Sequence, residues 1–190
     1  MEKKFELTEN YVVNEFGTKL YQIKCTKTFE YAKKGELGGY IEKEENLSQE
    51  GDAWVSGDAW VFGDARVSGD ARVYGNAWVS GDAQVSGNAW VFGNARVFGN
   101  ARVSGDACLK SDADHCGFDC FGSSNRHTHA YLTGDNTVEI TCGYFRGSIE
   151  EFEKKVKNTH DGTVYENQHN AIINVIKIKF GSAQRQNRQV

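Results

Sequence analysis

The sequence predicts a mainly β protein: a parallel β-helix of short stacked coils, with an N-terminal β cap and a small C-terminal α+β module. Three observations predict it. A Gly-[Asp/Asn]-Ala-x-[Val/Leu]-x unit recurs ten times without interruption from Gly51 to Lys110. Within each unit the last four residues alternate in size and polarity, as in Ala53-Trp54-Val55-Ser56. The period then stops, and Ser148-Ile-Glu-Glu151 opens an amphipathic stretch of helical spacing.

A strand sends alternate side chains to opposite faces. Ala and Val are nearly constant, so they form the inside; the two variable positions form the outside. Gly followed by Asp or Asn makes each corner, because these residues tolerate positive φ at low cost. Identical four-residue strands and two-residue corners wind into a coil whose units depend on their neighbours for burial.

Upstream, residues 1–36 carry the apolar pieces YVV and LYQIKC around the turn-like EFGTK. They are expected to form a strand pair capping the helix. Residues 37–114 form the helix, regular from 51 to 110. An entry coil is expected around Ile41 and Leu47, six apart and in register with the Ala column.

The period resembles the hexapeptide repeat of left-handed parallel β-helices. That resemblance implies a left-handed helix with three hexapeptides per triangular coil. Residues 18 apart then lie above one another. Face one carries Trp54, Arg72, Trp90 and Cys108, beside Ser56, Tyr74, Phe92 and Lys110. Face two carries Trp60, Trp78 and Arg96, beside Phe62, Ser80 and Phe98. Face three carries Arg66, Gln84 and Arg102 beside serines. Faces one and two are aromatic. Trp54, Trp60, Phe62, Arg72, Tyr74, Trp78, Trp90, Phe92, Arg96 and Phe98 are therefore expected to be covered, by the chain's own ends or by another subunit. The resemblance favours a homotrimer. On face three, Arg66 and Arg102 with the serine ladder offer a lesser ligand surface. The corners are close to neutral: six Asp stand against four Arg and one Lys in the repeat. The corner role explains the Asp/Asn choice without DNA mimicry.

Related β-helices include acyltransferases that use acyl-CoA, with a histidine as general base. The five histidines here all lie outside the repeat, and no loop interrupts the coils. Acyl transfer is the alternative reading, with His127, His129 or His160 supplying the base from a neighbouring subunit.

Residues 115–182 read as a small α+β module. HTHAYLT and TVEITC flank GDN as a hairpin, and Ser148–Glu151 is a capping box. Residues 171–180 fit a helix by the spacing of Ile172, Ile173, Ile176 and Phe180, and a strand by their β-branching; helix is favoured. Residues 183–190 read as a disordered polar tail. The module resembles one found in bacteriophage and prophage proteins. The matching residues are Gly122-Ser123 and Arg126; Thr128, Ala130 and Tyr131; Cys142-Gly143-Tyr144-Phe145; Gly147-Ser148; Glu150-Glu151-Phe152; and His160. The resemblance implies a phage accessory protein and names no reaction.

Ser123, Arg126, Tyr144, Arg146 and His160 are the candidate ligand residues. Guanidinium forks, a hydroxyl and rings suit an anionic or nucleotide-like ligand. His115, Cys116, Cys120, His127 and His129 include metal-ligand types, but their spacing matches no standard zinc site. No metal, cofactor or catalytic residue is assigned.

The formal net charge of −4 argues against general nucleic-acid or anionic-membrane binding. The N-terminus is charged and lacks the apolar core of a secretory signal. Five irregularly spaced cysteines suit reduced thiols and a cytoplasmic location, the host cytoplasm for a phage protein. The expected function is a non-enzymatic, oligomeric binding protein. It captures a host protein or a small anionic ligand to counter host defence; a structural phage component is the third reading.

Overall fold

A computed structural model describes residues 3–186. The chain divides into two compact units, Met1–Asp114 and His115–Val190.

The first unit is a β-solenoid of about four turns. Ten two-residue strands form its rungs: β4 (Trp54–Val55), β5 (Trp60–Val61), β6 (Arg66–Val67), β7 (Arg72–Val73), β8 (Trp78–Val79), β9 (Gln84–Val85), β10 (Trp90–Val91), β11 (Arg96–Val97), β12 (Arg102–Val103) and β13 (Cys108–Leu109). They stack in parallel with rungs 18 residues apart. Trp54 lies on Arg72, Arg72 on Trp90 and Trp90 on Cys108. Trp60 lies on Trp78 and Trp78 on Arg96; Arg66 lies on Gln84 and Gln84 on Arg102. The inward Ala and Val columns are at most 3% exposed, so the monotony of the repeat is the composition of a thin dry core.

Each corner glycine, from Gly51 to Gly105, has φ between 63° and 72°. At Gly87 a second constraint acts: an added Cβ would come within 2.8 Å of the Gly105 nitrogen. From Gly51 to Gly93 the corners stack on the backbone of the next coil, which leaves little room for a side chain.

At the start, β1 (Phe5–Val13), β2 (Lys19–Cys25) and β3 (Leu37–Ile41) extend face two into the six-stranded order β1-β2-β3-β5-β8-β11. Phe5, Leu20 and Ile23 are fully buried there. The entry coil corrects the sequence expectation. Ile41 pairs with Val61 and Leu47 bridges to Val67, so both continue the Val column, two residues out of the expected register. Gly39 takes the Ala position instead, with only 2.8 Å between a Cβ there and the Ala59 oxygen. The larger aliphatic side chains fill the larger site.

Backbone hydrogen bonds join each coil to the next, as from Trp54 N to Ala71 O at 3.0 Å and from Ala53 N to Gly69 O at 2.8 Å. The Ala and corner-Gly carbonyls thus face the preceding coil, and those of the first coil have no coil before them. Side chains meet them with matching chemistry. Asn46, fully buried, donates from Nδ2 to Gly63 O (3.0 Å) and Ala65 O (2.8 Å). Lys4, 4% exposed, donates from Nζ to Gly51 O (3.0 Å) and Ala53 O (2.8 Å). At the far end Asp112 Oδ1 accepts from Arg96 N at 2.7 Å.

The second unit is an antiparallel meander, β14 (His115–Phe121), β15 (Arg126–Leu132), β16 (Val138–Cys142) and β17 (Phe145–Gly147), followed by α1 (Ile149–His160) and α2 (Val164–Gln186). Ser148 caps α1 by accepting from Glu151 N, and the Glu151 carboxylate accepts from Ser148 N. Residues 171–180 are helical: Ile172, Ile173, Ile176 and Phe180 meet Ala130, Ile140, Phe152 and Val156 in one core. Helical periodicity overrides β-branching in this segment. The polar tail expected at 183–190 falls partly within α2, which runs to Gln186, and otherwise lies outside the described residues. Among the described residues, no helix is long and apolar enough to cross a membrane.

Candidate functional site

One end of the second unit carries a cavity of about 510 Å3, built from β15, the β16–β17 hairpin and both helices. The β16–β17 hairpin turns through Gly143 and Tyr144, with Cys142 paired to Phe145. Gly143 has φ +60°, and a Cβ on it would sit 2.7 Å from Cδ and Nη1 of Arg126. The glycine thus serves both the turn and the passage of the Arg126 side chain across its tip. Helix α1 supplies Phe152, Lys155, Val156, Thr159 and His160. Their spacing is one helical face, whose start is fixed by the Ser148 cap. Helix α2 supplies His169.

His169 is 5% exposed and held from four sides. Its Nδ1–H donates to the Tyr165 carbonyl at 2.7 Å, which fixes the tautomer. Its ring stacks on His160 at 5.3 Å and 8°, and meets Phe152 edge-on at 5.8 Å. Gly122 lies so close that a Cβ there would come within 2.5 Å of His169 Cε1, and Gly122 N donates to Gln168 Oε1 at 3.0 Å.

The lining carries Arg126, Arg146, Lys155 and two histidines, and no carboxylate. Arg146 is held by Glu139 in a two-point pair, at 2.7 Å and 3.0 Å. Among the described residues, neither Arg126 nor Lys155 makes an ion pair. Cys142 Sγ accepts from Thr128 Oγ1 at 3.2 Å. Phe145, Phe152 and Val156 make part of the wall apolar. The volume falls in the range of small-molecule pockets.

Arg126, Tyr144, Arg146 and His160, four of the five candidate ligand residues, line this one cavity. Ser123 lies in the β14–β15 turn, exposed and outside the lining. Sequence reasoning missed Lys155 and His169. Lys155 was legible as the residue one turn beyond Phe152 on a helix already recognised. His169 had no local signal, because the α1–α2 turn brings it to His160.

The metal-type residues are divided by strand alternation. His115, His127 and His129 share one face of the sheet, while Cys116 packs with the helical core on the other. Cys120 is exposed at a left-handed position. His115 Nδ1 and His129 Nε2 are 3.0 Å apart, and His127 Nδ1 pairs with Asp119 at 2.6 Å. Among the described residues no three His, Cys, Asp or Glu side chains are grouped to hold a metal ion.

On the solenoid the aromatic residues form ladders. Trp60 and Trp78 stack at 4.8 Å and 8°, and Arg96 lies 4.7 Å over Trp78. Tyr74 and Phe92 stack at 5.0 Å; Arg72 lies over Tyr31, Tyr74 and Trp90. The N-terminal segment covers part of both faces: Phe29 meets Trp54 edge-on at 5.4 Å, and Phe16 approaches Phe62 at 6.5 Å. Trp90 and Phe98 stay exposed, at 41% and 64%. On face three, Arg66 and Gln84 line a shallow groove of about 680 Å3 with Glu44, Glu45 and the serines.

A family model described as YdcK Beta solenoid repeat matches residues 65–81, 83–97 and 95–109, all within the stacked coils. No curated protein matches the chain. Over its repeat, the chain is similar to a β-solenoid family.

Proposed function

We propose that the protein is a non-enzymatic binding protein whose C-terminal unit captures a small anionic ligand. One observation carries this reading: a half-enclosed cavity collects Arg126, Lys155, Arg146 and the His160–His169 pair without a single carboxylate. In a chain whose formal net charge is −4, such a pocket is a local reversal of sign. Among the described residues Arg126 and Lys155 make no ion pair, and Arg146 is oriented by Glu139. Isothermal titration with sulfate, inorganic phosphate, pyrophosphate and sugar phosphates tests the reading. Binding of at least one anion is expected, with Lys155→Gln and Arg126→Gln each weakening it about tenfold, the usual worth of one charge-assisted contact. Absence of binding across the panel overturns it.

The solenoid is read as a left-handed hexapeptide-repeat prism that presents these units in a homotrimer. Trp90 and Phe98 stay exposed on faces that the N-terminal segment covers only in part, which supports an interface between copies. Light scattering tests this: a mass of three chains is expected, and a monomer at micromolar concentration overturns it. The resemblance to phage and prophage proteins supports a host-cytoplasmic role in which a host protein or host-made anion is sequestered to counter defence. Binding to a purified defence protein or its messenger tests that role.

A further inference from the structure

We infer that the anion held by the C-terminal cavity is joined to a planar ring, as in a nucleoside monophosphate, and that Tyr144 closes over that ring. The inference rests on the anion-binding reading and names the class of ligand.

Two observations lead to it. The first is size and lining. A sulfate or phosphate ion is far smaller than a cavity of about 510 Å3, and it has no use for a wall of Phe145, Phe152 and Val156. The cavity is amphiphilic, so its occupant carries a charged end and an apolar or planar end. The second is Tyr144, which is 97% exposed although it borders this cavity. A tyrosine standing almost wholly in water gains nothing for the fold. Its backbone is nonetheless held at the tip of a tight hairpin, between Gly143 in the left-handed region and the Cys142–Phe145 pair. The Arg126 guanidinium carbon lies 5.8 Å from the ring centroid, at the outer limit of a cation–π contact. A planar group lying against Tyr144 at the cavity mouth would occupy the tyrosine's free face, while its phosphate reaches Lys155 and Arg126 inside. Rotation of the Tyr144 side chain suffices, since the hairpin itself is fixed. Base-on-aromatic stacking of this kind tolerates any base, so the ring matters more than its hydrogen-bonding edge.

The test compares three kinds of probe on the full chain by calorimetry: the four ribonucleoside 5′-monophosphates, ribose 5-phosphate, and adenosine. At least one nucleotide is expected to bind about tenfold or more tightly than ribose 5-phosphate, with adenosine weaker than both. Tyr144→Ala is expected to erase the advantage of the nucleotide over ribose 5-phosphate. Tyr144→Phe is expected to keep it. At 97% exposure neither substitution threatens the fold. If ribose 5-phosphate binds as tightly as every nucleotide, or if Tyr144→Ala weakens both alike, the ring inference fails and the anion reading stands. If no phosphate binds, both fail together.

Discussion

The two units of this chain are built on opposite economies of information. In the solenoid one rule is stated ten times, and the inward positions obey it: Ala, then Val or, once, Leu109, at most 3% exposed. In the C-terminal unit no position repeats, and each core residue, from Ala130 to Phe180, is placed once. Repetition makes the solenoid legible but leaves it little room for chemistry, because its inside is filled and its rings stack on one another. The singular unit hides its design from the sequence and holds the half-enclosed cationic cavity.

Glycine breaks the comparison most sharply. Gly87 and Gly162 have nearly the same φ, +67° and +71°. A Cβ on Gly87 meets the Gly105 nitrogen at 2.8 Å, whereas nothing lies within 4 Å of one on Gly162. Gly162→Ala is expected to lose only the left-handed penalty, about 1 kcal/mol. Gly87→Ala adds a backbone collision that separates two coils, and about 3 kcal/mol is expected. Gly99, at φ +65° with open space, belongs to the solenoid yet should behave as Gly162 does. Thermal unfolding of the three variants measures this directly; equal losses at Gly87 and Gly99 would show that coil stacking is not what forbids a side chain.

The ends of the solenoid come next in size. Asn46→Leu strands the carbonyls of Gly63 and Ala65 and the Lys43 N–H, which Asn46 Oδ1 accepts at 2.9 Å. A loss of about 2–3 kcal/mol is expected in denaturant unfolding. Lys4 does the same task on face one but carries a titrating group. Burial pushes its ammonium down from 10.5 to about 8, against the pull of Asp52, Cys25 and Asp70. Between those values the unfolded chain holds the proton that the folded chain has released. Raising the pH from about 8 towards 10.5 therefore adds stability from this group, and below 8 it contributes no slope. Lys4→Met is expected to remove that rise, read as the difference between the two stability–pH curves.

What the sequence disclosed follows from the same contrast. The face assignments at 18-residue spacing and the Ser148 cap rest on local, repeated signals, and the strand register and the Glu151 contact bear them out. The entry coil misled because Ile41 and Leu47 keep the period of six yet sit two residues out of phase, where their volume fits. Nothing local marks Lys4 or Asn46 as caps; their role appears only when the first coil leaves its Gly and Ala carbonyls without a coil before them. In the second unit, Arg126, Tyr144 and His160 come from three separate elements and join at one cavity. Chemical type suggested them, and no period did. His169 escaped because a buried histidine opposite His160 depends on the turn between two helices.

The smallest effect separates the two uses of arginine. Arg96 lies 4.7 Å over Trp78, whose other face is taken by Trp60, and its own side chain is exposed. Its cation–π contact is worth about 0.5–1 kcal/mol in that setting. Its backbone N–H keeps Asp112 whatever the side chain. Arg96→Ala is therefore expected to lower stability by that small amount. Arg126→Gln is expected to leave unfolding unchanged while anion affinity falls about tenfold. The decisive comparison is the pair of variants under one protocol, unfolding and titration together. A solenoid arginine that moves stability alone, beside a cavity arginine that moves affinity alone, assigns the ladder to the scaffold and the cavity to recognition. If Arg96→Ala leaves stability untouched, the ladder's arginine adds nothing to the folded monomer. The outer edge of face two is then free for another copy of the chain, and the same variant should be measured for mass.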